Sequence, residues 1–66
     1  MKVNGLELEI ASLENSSIYA LIQHFKLKPD MVAVERNGQI EKKENWDSIQ
    51  LAEQDQIELI KFIGGG

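Results

Sequence analysis

Sixty-six residues make one domain and no more, because a chain this short buries only about 60% of the surface its unfolded form exposes. Without a single cysteine, neither a disulfide nor a thiolate zinc site can hold the fold; stability rests on packing and hydrogen bonds, and a large active-site cavity is hard to support. Eleven acidic residues against seven basic ones give a formal charge of -4, which repels a nucleic-acid backbone and suits a partner with a basic docking surface, or simply keeps a small protein soluble.

Met1 to Asn4 and Leu6 to Ile10 flank Asn4-Gly5, a dipeptide that favours the positive φ angles of a tight hairpin. Leu6, Leu8 and Ile10 share one side and Glu7 and Glu9 the other, the period-2 pattern of a half-buried strand. These ten residues alternate where a secretory signal would show a basic start and an apolar run, and no apolar stretch approaches the roughly 20 residues of a membrane span. Together with the missing cysteines, this predicts a cytoplasmic protein that binds neither membrane nor nucleic acid.

Asn15-Ser16-Ser17 offers side-chain acceptors for the free amides of a helix start. Ile18, Leu21, Ile22 and Phe25 follow at i, i+3, i+4 and i+7, predicting an amphipathic helix of about ten residues that ends before Pro29. Val32 and Val34 open a third strand, and Asn37-Gly38 turns it into Gln39-Ile40. Glu41 to Asn45 form a charged connection, after which Trp46, Ile49 and Leu51 return to the core and Glu53 to Gln56 make a polar turn. Ile57, Leu59, Ile60, Phe62 and Ile63 then form a strand apolar on both sides, as the middle strand of a sheet is.

One helix over one face of a mixed sheet in the order β-β-α-β-β-β, with the last strand central and parallel to the first, is an α+β protein of the β-grasp kind. Residues 1–63 are expected to form that domain, and 64–66 a flexible Gly-Gly-Gly tail. Glycine averages about 7% of residues, so three together at one specified place arise by chance roughly three times in ten thousand. Residues without Cβ pass a narrow constriction and take φ values closed to others, which suits a carboxylate that must thread into another enzyme's site. Such a carboxylate is a poor electrophile until its oxygen is joined to a phosphate.

Val34-Glu35-Arg36-Asn37 followed by Ile40 and Trp46, and Asp55-Gln56-Ile57 leading into Phe62-Ile63-Gly64-Gly65-Gly66, resemble the ThiS family of thiamine-biosynthesis sulfur carriers, within the ubiquitin-like superfamily; the likeness covers the whole chain. It implies that Gly66 is adenylated by a ubiquitin-activating-type (ThiF-like) enzyme using ATP and magnesium, with no cofactor bound by the chain itself. Sulfur from a persulfide donor then makes a thiocarboxylate, which serves thiazole synthase (ThiG-like). Gly64 and Gly65 would thread the partner active sites, and the chain would be a carrier and not an enzyme. Sulfur transfer to molybdopterin or transfer RNA uses the same tail chemistry, and a β-grasp binding module with inert glycines is the contrasting reading.

The side chains offer no rival chemistry. His24 lies off the apolar stripe with no partner ligands at metal or acid-base spacing. Ser16, Ser17 and Ser48 have no base poised beside them, and Asn4-Gly5 and Asn37-Gly38 lack the further glycines or lysine of a phosphate loop. Trp46 and Tyr19 are expected at the edge of the core. Ile60 and Phe62 should face the uncovered side of the sheet if Ile57 and Leu59 face the helix, and such exposed apolar residues predict a partner-binding patch.

Overall fold

The computed structural model describes residues 1–62. The first hairpin joins β1 (Lys2–Val3) to β2 (Leu6–Glu7), with Asn4 at φ 52 and Gly5 at φ 83, the paired positive angles of a tight two-residue turn. A matching turn at Asn37 (φ 53) and Gly38 (φ 86) joins β3 (Val32–Arg36) to β4 (Gln39–Glu41). β5 (Gln56–Lys61) lies at the centre of a five-stranded sheet ordered β2-β1-β5-β3-β4, parallel to β1 and antiparallel to β3. This is the predicted mixed β-grasp sheet.

Both turn asparagines also hold the central strand. Asn4 Oδ1 accepts from the Leu59 amide at 2.8 Å, carrying the pairing of β1 with β5 one step past the end of β1. Asn37 Oδ1 accepts from the Gln56 amide at 2.9 Å, while the Asn37 amide donates to the Gln56 carbonyl at 2.8 Å. An aspartate would fit either turn but would place a charge against the ladder.

The helix, α1 (Ile18–His24), is shorter than its apolar spacing predicts. Ser17 caps its start by accepting from the Ala20 amide at 3.0 Å, and Asn15 Oδ1 in turn accepts from the Ser17 amide. Its end comes well before Pro29, because Lys26 takes a left-handed φ of 58 and the amides of Lys26 and Leu27 turn back to the Gln23 and Ile22 carbonyls. Phe25 therefore leaves the stripe at the C-cap and is exposed, while Ile18, Leu21 and Ile22 are buried against the sheet. Burying each of these large aliphatics contributes about 1.5–3 kcal/mol.

The second strand also departs from the alternation read in its sequence. It stops at Glu7, and a one-turn 3-10 helix at Ile10–Ser12 draws Leu8 and Ile10 partly into the core. Leu6, facing the same side as its partner Val3, is left exposed. The charged connection runs into a 3-10 segment, Lys43–Ser48, that inserts Trp46 among the core residues. The Trp46 indole donates to the Glu41 carbonyl at 2.8 Å, and Tyr19 packs edge-on to it with ring centroids 5.3 Å apart.

Candidate functional site at the end of the central strand

Strand alternation sends Ile57 and Leu59 into the core beneath α1 and turns Glu58 and Ile60 to the other face. Ile60 is 45% exposed and Phe62, just past β5, is 51% exposed, the placement expected of both. The Phe62 amide still donates to the Met31 carbonyl at 3.0 Å, so the chain is held in register with the start of β3 up to the last described residue. Gly64, Gly65 and Gly66, the predicted threading and modification positions, lie outside the described residues, as does Ile63. What the fold fixes is the point from which they depart.

Register assigns neighbours on this open face. Ile60 stands opposite Ala33, and Glu35 stands between Glu58 on one side and Ile40 on the other. Ile40, 58% exposed, thus joins Ile60 and Phe62 in one apolar surface, and a groove of about 300 Å³ brings Phe62, Ile40 and Ala33 together beside Lys42 and Lys43. The signal for Ile40 was in the sequence: a strand entered at Gln39 from a two-residue turn fixes which face residue 40 takes. Glu35 and Glu58, directly opposed, repel one another at a cost to the free sheet. A partner surface bearing basic groups would relieve it.

Behind this surface sits Asp55, buried at 4% exposure. Its Oδ1 accepts from Asn37 Nδ2 at 3.0 Å, and its Oδ2 accepts from Arg36 Nε at 3.1 Å and the Ala52 amide at 2.9 Å. Arg36 also reaches Glu41 at 3.3 Å. Burial pushes the Asp55 carboxyl up, but the donors from Asn37, Ala52 and Arg36 outweigh it and hold the group below its ordinary value of 3.8. The same pairing raises the Arg36 guanidinium. The network closes the β3–β4 turn onto the start of β5.

Elsewhere the chemistry is structural. Ser16 donates to Gln50 at 2.7 Å and Ser48 to the Asn45 carbonyl at 2.9 Å, while His24 is exposed and edge-on to Phe25. Among the described residues, no group of three or more His, Asp or Glu side chains could hold a metal, and no helix is long and apolar enough to cross a membrane.

Comparison with known proteins agrees with this geometry. The ThiS family model matches residues 1–66. The sulfur carrier protein ThiS of Bacillus subtilis is 32% identical over 66 residues, covering 100% of this chain and 98% of that protein. A thiazole synthase of Magnetococcus marinus is 37% identical over 51 residues, which span 77% of this chain but 16% of that protein. The crystal structure of the thiamine biosynthesis protein ThiS from Geobacter metallireducens superposes with a TM-score of 0.77 at 29% identity, covering 98% of this chain and 96% of that one.

Proposed function

This chain is a member of the ThiS family, and we propose that it is a cytoplasmic sulfur carrier of thiamine biosynthesis whose working group is the carboxylate of Gly66. The observation that carries the reading is the family match running through residue 66, on a scaffold whose central strand ends at Lys61, shortly before Gly64-Gly65-Gly66 in the sequence. The chain supplies a carboxylate and a docking surface; its partners supply the catalysis.

In the first step the Gly66 carboxylate oxygen attacks the α-phosphorus of ATP on the adenylating enzyme, and pyrophosphate leaves. Magnesium and backbone amides of that enzyme stabilise the phosphate charge. A persulfide sulfur then attacks the acyl carbon: a carbon–sulfur bond forms, the bond to AMP breaks, and the chain is joined to the donor through an acyl disulfide. A thiol takes the donor sulfur into a new disulfide and frees the thiocarboxylate, which passes its sulfur to thiazole synthase.

The test is an intact mass of the protein after incubation with ATP, the adenylating enzyme and a persulfide donor. The expected result is a mass increase equal to replacement of one oxygen by sulfur, confined to the C-terminal peptide. An unchanged mass, under conditions that convert the Bacillus subtilis carrier, would sink the proposal.

Ile60 and Phe62 serve as the contact to the adenylating enzyme in this scheme, because they lie beside the origin of the tail and are exposed in the free protein. Phe62→Glu is expected to weaken that binding about a hundredfold, as loss of a central aromatic anchor does. Its urea midpoint should stay near that of the unsubstituted chain, since half of the ring already meets water. Broad unfolding of the variant would instead place Phe62 in the core.

A further inference from the structure

The side of the molecule opposite Ile60 and Phe62 carries an apolar feature that the scheme so far leaves unused. Leu6, Phe25 and Leu27 converge with Val3, Leu59 and Lys61 around a groove of about 340 Å³ between the first hairpin and the end of α1. Leu6 is 73% exposed and Phe25 42%. Neither exposure is required locally: the hairpin is set by Asn4-Gly5, and the helix stop by Lys26 and Leu27. Two large apolar side chains held in water beside one groove mark a contact surface.

Its charge differs from that of the sheet face. Lys61 is the one ionisable side chain lining the groove among the described residues, and Lys26 and Lys28 flank Leu27 in the chain. The sheet face mixes signs, with Lys2 beside the opposed Glu35 and Glu58, and Lys42 and Lys43 at its apolar groove. A groove whose one ionisable lining residue is cationic, on one side of the strand end, and a surface of mixed charge on the other are complementary to different partners.

The chemistry requires two partners at once. An acyl-adenylate released into water is hydrolysed, so sulfur must arrive while the carrier is still seated on the adenylating enzyme and its sheet face is covered. Building on the function proposed above, we infer that the groove of Leu6, Phe25, Leu27 and Lys61 docks the persulfide-bearing sulfur donor. The matching feature on that donor is an apolar side chain flanked by carboxylates, the first seated on Phe25 and Leu6 and the second set against Lys61. From there the donor approaches the same strand end, β5, from which the tail departs.

Leu6→Glu, Phe25→Glu and the charge-only Lys61→Glu test this, each first checked for a native circular dichroism spectrum. ATP–pyrophosphate exchange on the adenylating enzyme reports activation alone and should match that of the unsubstituted chain. Thiocarboxylate formation from a persulfide-loaded sulfurtransferase should fall about tenfold for each variant. Supplying free sulfide instead should restore the yield, because a small nucleophile needs no docking. Unchanged yield from the protein donor overturns the inference, and so does an equal loss with free sulfide. Failure of the unsubstituted chain to support exchange refutes the carboxylate scheme itself and removes the premise of the inference with it.

Discussion

Removing Gly65 and Gly66 is expected to abolish thiocarboxylate formation outright while leaving the urea midpoint where it is for the full chain. The truncated protein still ends in a glycine carboxylate, that of Gly64, so what it loses is reach. Two extended residues span about 7 Å, and a reacting group displaced by as little as about 1 Å can cost a hundredfold in rate. Pyrophosphate exchange and intact mass should both fall below detection. A second variant, full length but amidated at Gly66, keeps the reach and removes the attacking oxygen; it should be equally inert and should still bind the adenylating enzyme through Ile60 and Phe62. A truncated or amidated chain that is loaded with sulfur would defeat the carrier reading, and one that unfolds would show that the tail packs on the domain.

The elements that could be read from residues are those specified by local chemistry. Asn4-Gly5 and Asn37-Gly38 demanded positive φ and received it, Ser17 had the acceptor a helix start needs, and the two-sided apolar run from Ile57 placed β5 in the centre of the sheet. Misreadings arose where spacing competed with geometry outside the window. Phe25 occupies a helical i+7 position, yet the left-handed Lys26 ends the helix beneath it, and a lysine gives no warning of that angle as a glycine would. Leu6 alternates correctly but lies on an edge strand beyond the reach of the short helix. The groove beside both was illegible for the same reason: it forms from two departures, each of which looked like core.

Ile60 and Phe62 were legible because burial of Ile57 and Leu59 decides the opposite parity along a strand. The opposition of Glu35 to Glu58 required the register of β3 on β5, which one sequence does not print. The Arg36 and Asp55 positions stood out as parts of a family resemblance. Their contacts give the physical reason, since the two side chains tie together turns that are remote in sequence.

That tie makes Asp55 the residue whose loss should cost the fold most. Asp55→Ala leaves the partly buried Arg36 guanidinium, Asn37 Nδ2 and the Ala52 amide without their shared acceptor. Breaking one side of a buried ion pair costs about 3–5 kcal/mol. A domain of this length has roughly 3–10 kcal/mol in total, so Asp55→Ala should lose about a third of it or more and unfold at a much lower urea concentration, and Asp55→Asn, which keeps the volume and one acceptor oxygen, should have a urea midpoint between the two. The pH dependence follows from the direction of the shift. Because the folded carboxyl titrates below its ordinary value of 3.8, its ionised form stabilises the protein at every pH above that value, and the contribution is lost as pH falls through 3.8 toward the folded pKa. The hydrogen bond and charge of Lys43 lower the Asp30 carboxyl as well, so the informative quantity is the difference between the two proteins. The gap in urea midpoint between the unsubstituted chain and Asp55→Asn should be widest near neutral pH and narrow in acid, and a gap independent of pH would show that the Asp55 charge contributes nothing.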